Sequence, residues 1–127
     1  MTKLKGQALL TFIAKALDLQ LDGLYDERLG LTIVDKNHVG TFVRWWNPLI
    51  DDGDAFRLSN KFRICIEYTS CEDDSPVVYC GIDVERSQWP MVSNAPDFLA
   101  TTRRAIVDAA IDYITKIQEA ENYLSQL

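Results

Sequence analysis

The sequence has few of the residues that build reactive or metal-binding sites. It contains one His and three Cys in 127 residues, with no CxxC or CxxH spacing, so we expect no zinc site. Cys65, Cys71 and Cys80 cannot all pair within one chain, which favours free thiols in a reducing compartment. His38 has no nucleophile motif nearby, and no G-x-S-x-G, G-x-G-x-x-G or Walker motif occurs. We therefore assign no catalytic residue, metal ligand or cofactor and predict a protein that is not an enzyme.

Long apolar runs and an excess of basic residues are also lacking. No run approaches the ~20 residues that a membrane-spanning helix needs, and Lys15 and Asp18 interrupt the apolar residues near the start, where no cleavage site follows. The formal charge of −6 argues against direct nucleic-acid binding, which depends on basic side chains. The length and a hydrophobic content of 47% suit a single domain over residues 1–127. We expect a soluble, cytoplasmic protein that contacts neither membrane nor nucleic acid.

The periodicity of the apolar residues predicts an α+β domain with a long C-terminal helix. Helical spacing marks three segments, and strand-like alternation marks four. The predicted elements are a helix over Lys3–Leu19, strands over Leu31–Val34 and Thr41–Trp45 joined by a turn at Asp35–His38, a short helix over Gly53–Lys61, strands over Arg63–Thr69 and Val77–Glu85, a connecting segment over Arg86–Pro96, and a helix from Pro96 nearly to Leu127.

The hairpin after the second helix places its cysteines on different faces. By strand parity, Cys65 and Cys80 point to opposite sides of the sheet, which excludes a disulfide between them. Glu67, Asp83 and Glu85 could form a carboxylate pair of the type that glycosidases use. Hairpins commonly carry such charges on a solvated face, so we favour that interpretation over an enzyme.

The last helix carries a heptad-like seam. Its members are Ile106, Ala110, Tyr113, Ile117, Ala120, Leu124 and Leu127. Further apolar residues widen this face in the first half only, so we expect the first half to pack on the sheet and the second half to project. The projecting half, Ile117–Leu127, could form a homodimer or could pair with the first helix of the same chain.

The stretch from Trp45 to Leu58 combines two indoles, Asn47-Pro48 and an acidic turn. In an extended strand Trp45 and Trp46 must point to opposite faces. Core packing is favoured for both, while an exposed indole beside Pro48 would be a candidate partner contact. Asp51 is predicted to cap the following helix, with Asp54 near the positive end of its dipole. A helix cap explains these carboxylates better than a calcium loop, because the final Glu of the EF-hand pattern does not follow.

Two segments resemble the phage ABA-sandwich domain family. Trp46–Leu58 is similar to the family motif W-[NS]-P-L-x-D-D-G-D-A-x-R-L, and Ala100–Ala110 is similar to the second motif, A-T-R-R-A-I-V-x-A-A. The resemblance implies a three-layer α/β/α sandwich around a small, mainly antiparallel sheet in a phage or prophage protein. Members of the family mostly have no assigned activity, so the resemblance supplies no catalytic residue.

Arg103 and Arg104 are adjacent on a helix, so one of them must lie near its apolar face. Buried Arg is rare unless it is paired, and we predict that one of the two reaches a carboxylate of Asp51–Asp54. Our main functional hypothesis is a phage-encoded accessory protein that binds a protein partner, which could be host-encoded. The alternatives are an inhibitor of a host antiviral defence complex and a small-molecule or nucleotide binder that uses Arg103 or Arg104.

Overall fold

The computed structural model describes residues 4–37, 39–70, 76–82, 91–93 and 98–127. Three helices and six strands follow one another along these residues, so the predicted α+β class is confirmed. The elements are α1 (Gly6–Ala16), β1 (Gln20–Asp26), β2 (Gly30–Asn37), β3 (Gly40–Trp46), α2 (Asp52–Phe62), β4 (Cys65–Ser70), β5 (Pro76–Gly81), β6 (Met91–Ser93) and α3 (Phe98–Ser125).

The first sheet has the order β1-β2-β3, and both of its strand pairs are antiparallel. The Asp26 carboxylate closes the β1–β2 turn, because its Oδ1 accepts hydrogen bonds from the backbone N–H groups of Leu29 (2.9 Å) and Arg28 (2.8 Å). These two bonds hold the pKa of Asp26 below its usual value. At the start of β2, Gly30 has φ +95°, and a Cβ there would lie 2.3 Å from the Trp46 carbonyl oxygen. Only glycine permits this close approach.

The second sheet has the order β4-β5-β6 and is also antiparallel. Ile66 lies opposite Cys80 and Tyr68 lies opposite Val78, so these four side chains share one face. Cys65 therefore points to the other face; it is exposed, whereas Cys80 is buried. The predicted parity is confirmed, and both cysteines are free thiols.

The hydrophobic core connects helices to both sheets. α1 packs on β2, the first half of α3 packs on β5 and β6, and α2 packs against α3. The largest buried apolar side chains of this core come from α1, α2, both sheets and α3; they include Ile13, Leu58, Trp46, Val78 and Val107. This packing places α2 beside the first half of α3.

The structure differs from the predicted element pattern in four respects. The strands form two sheets rather than one. β1 was not predicted, because Gly23 and a bulge between Leu21 and Tyr25 interrupt its alternation. The predicted turn at Asp35–His38 is wrong for Asp35–Asn37, which continue β2, and β6 lies in the predicted connecting segment.

Some of the predicted features fall outside the described residues. These are His38, Cys71, Asp83, Glu85 and the predicted helix start at Pro96.

Candidate functional site

The turn between β3 and α2 is built on Asn47. Its side-chain Oδ1 accepts a hydrogen bond from the Leu49 N–H at 2.9 Å, and its backbone carbonyl accepts from Ile50 and Asp51. Asp51 then caps α2, because its Oδ1 accepts from the Asp54 N–H at 2.8 Å. The predicted cap is therefore confirmed, and the turn brings Asp54, in the first turn of α2, to the end of β3, where its Oδ2 accepts from the Asn47 N–H.

Asp54 is the centre of a buried polar cluster. Its side chain is 1% exposed, and it accepts hydrogen bonds from Arg44 Nη1 (2.9 Å), Arg57 Nη2 (2.7 Å) and the backbone N–H of Asn47 (2.9 Å). Three donors compensate for the cost of desolvating this carboxylate. Asp54 was predicted only as a charge in the first turn of α2, whereas the structure makes it the link between β3 and α2.

Arg44 extends this cluster to β2. Its Nε donates to Asp35 Oδ2 at 2.6 Å while its Nη1 reaches Asp54. Partial burial lowers the pKa of Arg44, but the hydrogen bonds and charges of Asp35 and Asp54 outweigh this effect and leave the pKa above its ordinary value. The sequence analysis did not identify Arg44 or Asp35. The signal that could have found them is parity, since their side chains share one face of adjacent antiparallel strands.

Arg103 joins the two family-like motifs. Its Nη1 donates to Asp52 Oδ1 at 2.6 Å and its Nε donates to the Leu49 carbonyl oxygen at 2.9 Å. The predicted contact between this arginine pair and the Asp51–Asp54 turn is therefore confirmed. Arg104 lies away from that turn and pairs with Asp108 one helical turn later, at 3.3 Å.

The two adjacent tryptophans have different environments. Trp46 is 3% exposed and belongs to the core, whereas Trp45 is 39% exposed on the opposite face of the first sheet. The prediction that the indoles point to opposite faces is confirmed, while core packing holds for Trp46 only. Val43, two residues before Trp45 in β3, is also exposed, so this sheet face presents apolar surface around the Trp45 indole.

A cleft of ≈ 580 Å³ opens beside the Asp54 cluster. It lies between the end of α1, the strands β2 and β3, and one face of α2, and its charged lining residues are Asp35, Arg44, Asp54, Arg57 and Lys61. Volumes of this order are typical of small-molecule sites. Four residues of the first family-like motif line this cleft, namely Trp46, Asp54, Arg57 and Leu58.

Metal binding depends on how potential ligands are grouped, and thiol chemistry depends on the pKa of the buried Cys80. Within the described ranges, no three His, Cys, Asp or Glu side chains are grouped as metal ligands would be. Burial, followed by the negative charges of Asp108 and Cys65, raises the pKa of Cys80 to about 12, so this thiol is protonated and unreactive at neutral pH.

The second half of α3 projects from the body. The helix continues through Ser125, but every residue from Lys116 onward is exposed. The helical part, Lys116–Ser125, extends about 15 Å at ~1.5 Å per residue, and the segment through Leu127 includes the apolar side chains of Ile117, Leu124 and Leu127. The predicted projection is confirmed. No helix among the described residues is both long enough and apolar enough to cross a membrane.

Comparison of the chain with protein-family models, with curated proteins and with solved structures finds no match. The resemblance to the phage ABA-sandwich domain family therefore depends on the two motifs alone and stays a prediction.

Proposed function

We propose that this protein acts by binding another protein and that the projecting half of α3 is its binding element. The observation that supports this proposal is an exposed apolar seam, formed by Ile117, Ala120 and Leu124 on the projecting part of α3 and continued by Leu127 just beyond its end. Binding of a partner over this seam would remove apolar side chains from water, which is favourable.

The first partner that we propose is a second copy of the chain. The seam repeats at spacings of three and four residues, which is the pattern of a helix that packs against another helix. Symmetric homodimers are the commonest soluble oligomers, and a two-fold axis would place one seam on the other. The seam after the body is shorter than two heptads, so we expect a reversible dimer.

Light scattering across a concentration series tests the self-association. We expect the full chain to form dimers, and a chain that ends at Ile114 to remain monomeric. Leu124→Glu places a charge on the seam and is expected to give a monomer. Gln118→Glu, away from the seam, adds the same charge and should leave the dimer intact. A full chain that stays monomeric throughout the series would refute self-association.

We further propose, from the two motifs, a phage or prophage accessory role with a host-encoded partner such as an antiviral defence complex. The acidity of the chain supports a partner with a basic surface. A purified defence complex that is inhibited by the wild-type chain and equally by Leu124→Glu would assign that role to a surface other than the seam. The role of Arg103 in binding a nucleotide is disfavoured, because its Nε and Nη1 are both used in the contact with the turn before α2 and its side chain is 18% exposed.

A further inference from the structure

The cleft beside Asp54 has both apolar and charged lining residues. Leu17 and Leu19, which follow α1, line it together with Ile33 and Leu58. The charged residues described above come from β2, β3 and α2. A cavity with both kinds of lining suits a ligand that has an apolar body and a charged group.

The charge of the cleft is opposite in sign to that of the whole protein. Three cations, Arg44, Arg57 and Lys61, face two carboxylates, Asp35 and Asp54. The local sum is one positive charge, whereas the chain as a whole carries −6. Low-dielectric walls concentrate such a local field, so an anion is attracted here although most of the protein repels it.

The cations of the cleft retain donors for a ligand. Arg57 is 60% exposed and uses one N–H for Asp54, which leaves donors of its guanidinium group without a partner among the described residues. Lys61 lies one helical turn further along the same face of α2 and forms no ion pair within the described part of the chain. Asp54 anchors Arg57, so the guanidinium group is positioned before any ligand arrives.

We propose that this cleft binds a small amphipathic monoanion, with its anionic group at Arg57 and Lys61 and its apolar body against Leu17, Leu19 and Leu58. The single net positive charge matches one negative charge on the ligand. Asp35 and Asp54 would repel the several charges of a nucleoside triphosphate, so a carboxylate on an apolar chain fits better than a polyphosphate. This site is separate from the seam of α3 and does not depend on self-association.

A titration of the ¹⁵N-labelled full chain, followed by ¹H–¹⁵N NMR, tests the site with three probes. Octanoate has both the charge and the chain, octan-1-ol has the chain alone, and inorganic phosphate has the charge alone. We expect saturable shifts with octanoate at the amides of Leu17–Leu19, Ile33–Asp35 and Arg57–Lys61. Octan-1-ol and phosphate should bind at least about tenfold more weakly, because each lacks one of the two contacts.

Two variants with the same change of charge complete the experiment. Lys61→Gln removes the one cation of the cleft that forms no ion pair within the described residues, so the fold should be retained. The affinity for octanoate should fall about tenfold. Lys5→Gln, at the start of α1 and outside the cleft, should bind as the wild type does. The proposal is overturned if octanoate gives no saturable shifts, if the shifts map elsewhere, if phosphate binds equally well, or if the two variants behave alike.

Discussion

Replacement of Asp54 tests whether its buried cluster holds β3 to α2. Asp54→Ala removes the acceptor of the buried Asn47 N–H, and an unsatisfied buried donor costs about 1–3 kcal/mol. Arg44 also loses a partly buried bond but keeps Asp35. The pair with Arg57 is largely solvated, so its loss costs at most about 1 kcal/mol. We expect the free energy of unfolding to fall by about 2–4 kcal/mol in total.

Urea unfolding followed by tryptophan fluorescence measures this change without the screening that a guanidinium salt would cause. Asp52→Ala is the matched control, because Asp52 lies two residues earlier and is also ion-paired, but its side chain is 64% exposed. The control should cost no more than about 1 kcal/mol. The argument fails if Asp54→Ala costs less than about 1 kcal/mol, or no more than Asp52→Ala.

Three further predictions concern Gly30, the cysteines, and Arg103, which joins the two motifs. Gly30→Ala should destabilise the fold by at least about 2 kcal/mol more than Gly23→Ala in urea unfolding. Both glycines have positive φ, but only at Gly30 would the added Cβ collide with a backbone carbonyl oxygen, that of Trp46. Equal losses of stability would contradict this. Iodoacetamide at pH 8 should modify the exposed Cys65 and spare Cys80, because burial raises the pKa of Cys80 to about 12. Peptide mapping that finds Cys80 alkylated in the folded protein would refute the placement of this thiol in the core. Arg103→Ala loses two hydrogen bonds and should lower the free energy of unfolding by about 1–3 kcal/mol, whereas an unchanged urea midpoint would show that this link contributes nothing.

Features that depend on local sequence were predictable. The cap at Asp51 follows from the position of an aspartate before an amphipathic helix, and the opposite faces of Cys65 and Cys80 follow from strand parity. The projection of α3 follows from the narrowing of its apolar stripe after Ile114. In each case the determining residues are close together in the chain.

The contact of Arg103 with the turn before α2 was predicted through the family-like motifs, but other features that join different elements were missed. Asp35 lies in an Asp-Lys-Asn sequence that is typical of a turn. In the structure it lies in β2, which continues to Asn37, and it forms an ion pair with Arg44 of the adjacent strand. The role of Asp54 depends equally on Arg44, which lies ten residues earlier in a strand that was predicted; the strand pattern alone does not show that its guanidinium group reaches the start of α2. The cleft was missed for the same reason, because it is bounded by the end of α1, two strands and α2.

The charge of the projecting helix indicates how salt should affect its binding. Residues 117–127 contain Glu119 and Glu121 and no Lys or Arg, and the whole chain carries −6. Two copies therefore repel each other. Salt screens that repulsion over ~10 Å at about 0.1 M and over ~3 Å at about 1 M, so self-association through the seam should strengthen as salt is added. Binding to a basic partner depends on electrostatic attraction, so it should weaken as salt is added. Replacement of both glutamates by Gln should likewise tighten the homodimer and weaken a basic complex, and a homodimer that dissociates on addition of salt would contradict the proposed seam contact.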